Sequence, residues 1–546
     1  MSARPMGYLA IVLHAHLPFV KHPENRHHLE ELWLFEAITD TYLPLIDLLE
    51  GWRRDGVRYR LSLSVTPPLA SMLRDPLLQE RYVEHLDRSV ALARQEIRKH
   101  QGAPALRRLA ELYLGRFEWA RRAFVERHGK DLIGALRRHL SSGLEVLASA
   151  ATHALLPLVE PYTSAARAQI VTGVNLHRAL FGEQPKGFWL PECGFHPGHA
   201  SILTQEGVRY SIVDTHGLLH AIPRPRYANF APVYTPEGLA VFGRDVETSK
   251  QVWSAQEGYP GDFDYREFYR DIGYDNPWEE VAPFLPCGVR TDTGIKYYRI
   301  TGKTEHKELY DPDRARAKAQ IHAGNFVFNR VHQVRYLASV MDRPPVIVAP
   351  YDAELFGHWW FEGPWFLDAV VRKVHETGGE LELITLSDYL ERHPTNQVAA
   401  VSPSTWGYKG YHEVWLDASN DWIYRHLHEG ALRMQILAGK HPSASGVLER
   451  ALNQAAAQLM LAQSSDWAFI MKSGTVVEYA VRRTKEHMSN FFRLEEQIER
   501  GAVDEQWLAW LEELEERTSP FAAAVDYRLF QAEGPRQSAA LASARA

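Results

Sequence analysis

Short apolar runs recur along the chain, and several are continuous rather than alternating. Residues 8–13, 59–65, 144–147, 187–190, 210–213, 239–242, 346–349 and 381–384 are rich in Val, Ile, Leu, Phe or Tyr, and each ends in polar residues. Runs without alternation are the pattern of strands covered on both faces. Helical spacing separates many of them. This alternation predicts a parallel α/β barrel, closed or nearly so, with a doubly wound open sheet as the structural rival.

Three stretches break the rhythm. In 76–143, Leu106, Leu109, Leu112 and Phe117 fall near helical spacing. Leu132, Leu136 and Leu140 follow after Gly129, with Arg137, Arg138 and His139 on the opposite side, so the stretch predicts a helical insertion packed on a barrel formed by 1–75 and 144–400. In 221–238, Pro223, Pro225, Pro232, Pro236 and Gly238 predict a mobile loop with neither helix nor strand. After about residue 400 the strand pattern stops, and 420–439, 446–464, 475–501 and 504–517 read as helices of an all-helical C-terminal domain, 401–530. The small, polar tail 531–546 reads as disordered.

A chain of 546 residues exceeds what one hydrophobic core supports, which predicts two or three domains. With 45 % hydrophobic and 24 % charged residues, it is neither a disordered chain nor a fibrous one. The net charge of −7 argues against nucleic acid and anionic membranes as partners. Cys193 and Cys287 cannot build a disulfide framework and suit a reducing compartment. No stretch reaches the roughly 18 apolar residues of a membrane span, so the expectation is a soluble cytoplasmic protein.

Candidate chemistry lies at the ends of the apolar runs: His14 and His16, His153, Glu192 and Cys193, Asp214 and His216, and Asp352 with Glu354. In a parallel barrel the carboxyl ends of the strands share one rim. Glu192 and Asp352 stand among aromatic residues, and two carboxylates in different environments can divide nucleophile and acid/base roles. Their bland alternative is a pair of buried, satisfied carboxylates. Tryptophans gather between 359 and 467, at 359, 360, 365, 406, 415, 422 and 467. Indoles beside carboxylates suit sugar rings, which stack an apolar face and hydrogen-bond their hydroxyls. A metal site built on His14, His16, Asp214 and His216 is the rival chemistry, that of a metal-dependent carbohydrate hydrolase or deacetylase. Dinucleotide, phosphate-loop and serine-elbow motifs are absent.

The segments His14-Ala15-His16-Leu17-Pro18, Gly187-Phe188-Trp189-Leu190-Pro191-Glu192-Cys193-Gly194 and Tyr351-Asp352-Ala353-Glu354-Leu355-Phe356-Gly357-His358-Trp359-Trp360 resemble the signature regions of glycoside hydrolase family 57. Within it they resemble the 1,4-α-glucan branching enzymes, as do 406–415 and Ser464-Ser465-Asp466-Trp467. The resemblance implies an incomplete parallel (β/α)7 barrel with a helical insertion and a helical C-terminal domain. It implies a retaining double displacement on α-1,4-glucan with no cofactor and no metal, forming α-1,6 branches. An α-amylase or 4-α-glucanotransferase would share that chemistry. It makes Glu192 the nucleophile and Asp352 the general acid/base. His14, His16 and His153 would line the donor site, Trp278, Trp360, Trp406 and Trp415 would be stacking platforms, and Asp466 would reach in from the C-terminal domain. Tyr234, with Tyr227 as second choice, would be the tyrosine of a mobile loop that seats the acceptor and excludes water.

Overall fold

Each apolar run forms a strand. The computed structural model describes residues 5–23, 26–159, 161–254, 256–516 and 524–532; from residue 533 on, the expected tail lies outside the described residues. The strands are β1 (Gly7–Ala15), β2 (Leu61–Val65), β3 (Leu144–Ser149), β4 (Gly187–Trp189), β5 (Tyr210–Val213), β6 (Val233–Tyr234), β7 (Ala240–Gly243), β8 (Val346–Asp352), β9 (Leu381–Leu383) and β10 (Gln397–Val398). With the helices between them they are the parts of the expected incomplete (β/α)7 barrel. The region after residue 400 is helical.

The chain divides into two compact units on lines other than the expected three-part division. One holds Met1–Leu63, Met72–Val146 and Arg244–Arg392; the other holds Ser64–Ser71, Leu147–Gly243 and His393–Ala546. The helical insertion thus belongs to the first unit, and the C-terminal helices share the second with several strands.

In the first unit β1 lies between β8 and β9 and is parallel to both. All nine residues of β1 are buried, which accounts for its unbroken apolar sequence. The register sets Tyr8 beside Val346 and, at the carboxyl ends, His14 beside Asp352. The insertion forms two long helices, Pro76–Lys99 and Pro104–Arg122, which pack on one another. The first begins where Asp75 accepts a hydrogen bond from the Leu78 N–H (3.0 Å). The same buried carboxylate takes the Lys21 ammonium at 2.5 Å, so one side chain caps the helix and anchors the segment after β1.

In the second unit the strand order is β10-β6-β7-β5-β4-β3. All these pairs are parallel except β6 with β7. Phe188, Leu190, Val213 and Val241 from the strands and their ends meet Ala166, Ile170 and Val174 of the helix Thr163–Phe181 in one apolar core. Gly173 lets that helix close on the sheet, since a Cβ there would sit 1.9 Å from the Ser149 carbonyl oxygen. The C-terminal helices are Trp422–Lys440, Gly446–Ala462, Ser465–Ser473, Val477–Glu499 and Glu505–Glu516. Gly446–Ala462 buries Ala451, Leu452, Ala455, Leu459 and Met460 and packs against Trp422–Lys440, Val477–Glu499 and Glu505–Glu516. No helix among the described residues is long and apolar enough to cross a membrane.

The segment 221–238 corrects one expectation. It contains β6, whose Val233 and Tyr234 pair with Val241 and Ala240 of β7 and with β10. Its prolines flank the two paired residues instead of interrupting them, so the ladder loses no donor there. Thr235 N–H then donates to the Leu239 carbonyl (2.8 Å), which closes the turn.

Candidate active site

The chain leaves β4 through Pro191-Glu192-Cys193, a single tight turn. Glu192 (φ 59°) and Cys193 (φ 50°) both adopt the left-handed conformation, as does His153 (φ 56°) after β3. Such backbone is costly for residues other than glycine and persists only where surrounding bonds hold it. Here the Cys193 N–H donates to the Leu190 carbonyl, Phe195 N–H to Ser404, and Trp406 N–H to Glu192, each at 2.9 Å. The strained turn is thus laced to 404–406 of the C-terminal region.

The same lacing fixes the carboxylate. Trp406 Nε1–H donates to Glu192 Oε2 at 2.6 Å, and the Trp406 ring stands edge-on to buried Trp189 with centroids 5.1 Å apart. A short bond from an indole N–H favours the ionised acid. The second oxygen, Oε1, lies 4.0 Å from His153 Nδ1. That nitrogen is 3.0 Å from Ser465 Oγ, while the Ser465 hydroxyl donates to the His153 carbonyl at 2.7 Å. A carbonyl only accepts, so the serine hydrogen is spent there and Nδ1–H must donate to Oγ. One residue on, Asp466 Oδ2 accepts from the Ser464 hydroxyl (2.6 Å) at the start of the helix Ser465–Ser473. Within this unit, Glu192, His153, Trp406 and Asp466 form one connected group.

The first unit brings together His14, His16 and Asp352. His14 and Asp352 end neighbouring strands, and the His14 and His16 rings lie nearly parallel at 5.8 Å. The group also includes Glu354, which the sequence placed at the same strand end without giving it a role. Glu354 is buried (3 % exposed); its Oε1 accepts from the Tyr42 hydroxyl at 2.6 Å and from the His16 N–H at 3.2 Å. Burial pushes this carboxyl up to about 7, against the opposing pull of those bonds. Glu354 sits in a recognisable motif two residues from Asp352, whereas nothing in the sequence around Tyr42 marks it.

Trp360 and Trp415, expected as stacking platforms, are each only 2 % exposed. Trp360 packs on Phe366 and Tyr265, because the chain reverses at Gly357 and turns residue 360 inward. Its neighbour Trp359 is the open indole of that motif, 43 % exposed and edge-on to Trp253. Trp415 lies under the loop that carries Trp406: a Cβ on Gly407 would meet its ring at 2.5 Å. Trp278 is exposed, with the Arg290 guanidinium 5.7 Å from its ring. The Tyr234 hydroxyl donates to the Pro394 carbonyl (3.2 Å), and the Arg226 guanidinium covers Tyr227 at 5.1 Å. In the rival metal site, His216 would complete the pair His14 and His16; both of its nitrogens are engaged, with Asp214 (3.2 Å) and with the Gly410 carbonyl (2.7 Å).

Residues 10–307 match the family described as glycosyl hydrolase family 57, and 426–530 match the C-terminal region of 1,4-alpha-glucan branching enzyme. A 1,4-alpha-glucan branching enzyme of Thermococcus kodakarensis is 33 % identical over 95 % of this chain and 78 % of its own length. Among solved structures, the α-amylase AmyC from Thermotoga maritima is 42 % identical, covering 97 % of this chain and 99 % of its own with a TM-score of 0.89. A branching enzyme from Pyrococcus horikoshii is 31 % identical over 97 % of this chain and 98 % of its own, with a TM-score of 0.86.

Proposed function

The chain belongs to glycosyl hydrolase family 57, and from that premise we propose that it is a 1,4-α-glucan branching enzyme. One observation carries the choice. The region that matches branching enzymes includes Ser465, and Ser465 holds His153 beside the Glu192 carboxylate.

In this reading Glu192 attacks the anomeric carbon of an α-1,4-linked glucan while Asp352 protonates the leaving oxygen. The Trp406 N–H donates to Oε2 of Glu192, a bond that favours the charged form of the nucleophile. Asp352, now a base, takes the proton of a 6-hydroxyl on a second chain, and that oxygen displaces Glu192 to form an α-1,6 branch. His14, His16 and His153 bind donor hydroxyls, Trp406 and Trp278 offer indole faces, and Asp466 accepts from the sugar. Asp352 moves the proton in both half-reactions, and Glu192 carries the glucan between them. Neither Cys193 nor Cys287 is in a disulfide, which fits a cytoplasmic enzyme of glycogen biosynthesis.

The likeness to AmyC favours a second reading, an α-amylase in which water replaces the 6-hydroxyl. Digestion of amylose separates the two. Branching gives α-1,6 linkages with few new reducing ends, and hydrolysis gives reducing ends alone. Glu192→Gln is expected to abolish both products, and retained activity would refute the nucleophile assignment.

A further inference from the structure

The segment between β1 and the helix Glu31–Ala37 holds His22, His28 and Glu30, which the proposed reaction does not use. Their ligand atoms, one per residue, all lie within 4.8 Å of one another. His22 and Glu30 are buried, at 3 % and 9 % exposed. The His22 and His28 rings are stacked, with centroids 3.6 Å apart and planes 17° from parallel, and His28 Nδ1 lies 3.0 Å from Glu30 Oε2. Two imidazoles and a carboxylate are the donor set of a zinc site with one position left for water. We propose that His22, His28 and Glu30 bind a divalent cation of the zinc class.

The surroundings are those of a built site. The His22 N–H donates to Glu31 Oε1 at 3.1 Å, and its carbonyl accepts from Arg81 Nη1 at 3.1 Å. Arg81 and Glu31 are themselves a buried pair at 2.5 Å. The backbone of the first ligand is therefore held from both sides, and the arginine charge is balanced before it can repel a cation. Supporting shells of this kind orient ligands and strengthen binding. Bonds of about 2.0–2.2 Å to a tetrahedral ion place two donors roughly 3.4 Å apart. Closing the site from its present spacing takes about an ångström of inward movement, and the partly exposed His28 ring swings off the stack to supply it. The ion would then replace the His28–Glu30 hydrogen bond and join the segment after β1 to the start of the helix.

The test uses untagged full-length protein stripped with a chelator and titrated with Zn²⁺ alone, with bound metal counted after gel filtration. One zinc per chain and a melting temperature that rises with Zn²⁺ are expected. His28→Ala and Glu30→Gln are each expected to weaken binding at least tenfold. Both positions are less deeply buried than His22, and circular dichroism reports whether the variants are folded. If the stripped chain takes up no zinc, or if a folded His28→Ala/Glu30→Gln double variant binds it as tightly as the wild type, the proposal is wrong.

Discussion

At the scale of single residues, the most consequential bond is the one from Trp406 Nε1–H to Glu192 (2.6 Å). Hydrogen bonds to charged groups contribute about 1.5–3 kcal/mol. Trp406→Phe keeps an aromatic ring and removes the donor, so kcat/KM on amylose is expected to fall roughly 10- to 100-fold. The acid limb of the pH profile should also move upward, because the carboxylate loses a bond to its charged form. A profile displaced in neither height nor position would show that the bond is structural only. Glu354 gives a second test. Its carboxyl is raised from 4.5 to about 7, so the folded chain holds a proton that the unfolded chain releases across that window. Stability contributed by this group therefore falls as pH rises from about 4.5 to 7. Glu354→Gln removes that loss, and its melting temperature is expected to drop less than that of the wild type between pH 5 and pH 8. The sequence made Glu192 and Asp352 visible because each sits in a long motif at a strand end. It gave no sign of how Glu192 is held, since Trp406 lies 214 positions away.

At the scale of elements, the continuous apolar runs were legible because buried parallel strands need no alternation. β1, buried throughout, and β8, buried up to its last residue Asp352, show it directly in their parallel register. What escaped were short elements whose stability comes from neighbours. β6 and β10 have two residues each, and the helix Ser465–Ser473 begins directly after the end of Gly446–Ala462. The pairing of β6 changes the expectation for Tyr234. Tyr234→Ala is expected to lower the melting temperature and to leave the ratio of branching to hydrolysis unchanged; a changed ratio would restore the seating role. The loop that carries Trp406 depends instead on Gly407 lying against Trp415. Gly407→Ala pushes a methyl group into that ring, and both stability and activity are expected to fall, as thermal unfolding and branching assays would show.

For the whole molecule, composition and length were enough to anticipate more than one compact unit, but not where the chain divides. The boundaries at 63/64 and 146/147 fall inside strands β2 and β3, where no change of composition marks them. Acid sensitivity belongs to this scale as well. Burial lowers His177 to about 3 and His487 well below its ordinary value. The unfolded chain takes up protons below about pH 6.5 that these folded histidines refuse, so stability is expected to decline as pH falls below that value, and thermal melts from pH 7 to pH 4 would register it. The central claim concerns the fate of a transferred glucan chain. It is tested most directly by proton NMR of amylose incubated with the enzyme, counting α-1,6 linkages against new reducing ends. A growing α-1,6 signal with reducing ends nearly constant is expected, whereas reducing ends accumulating without α-1,6 linkages would contradict it.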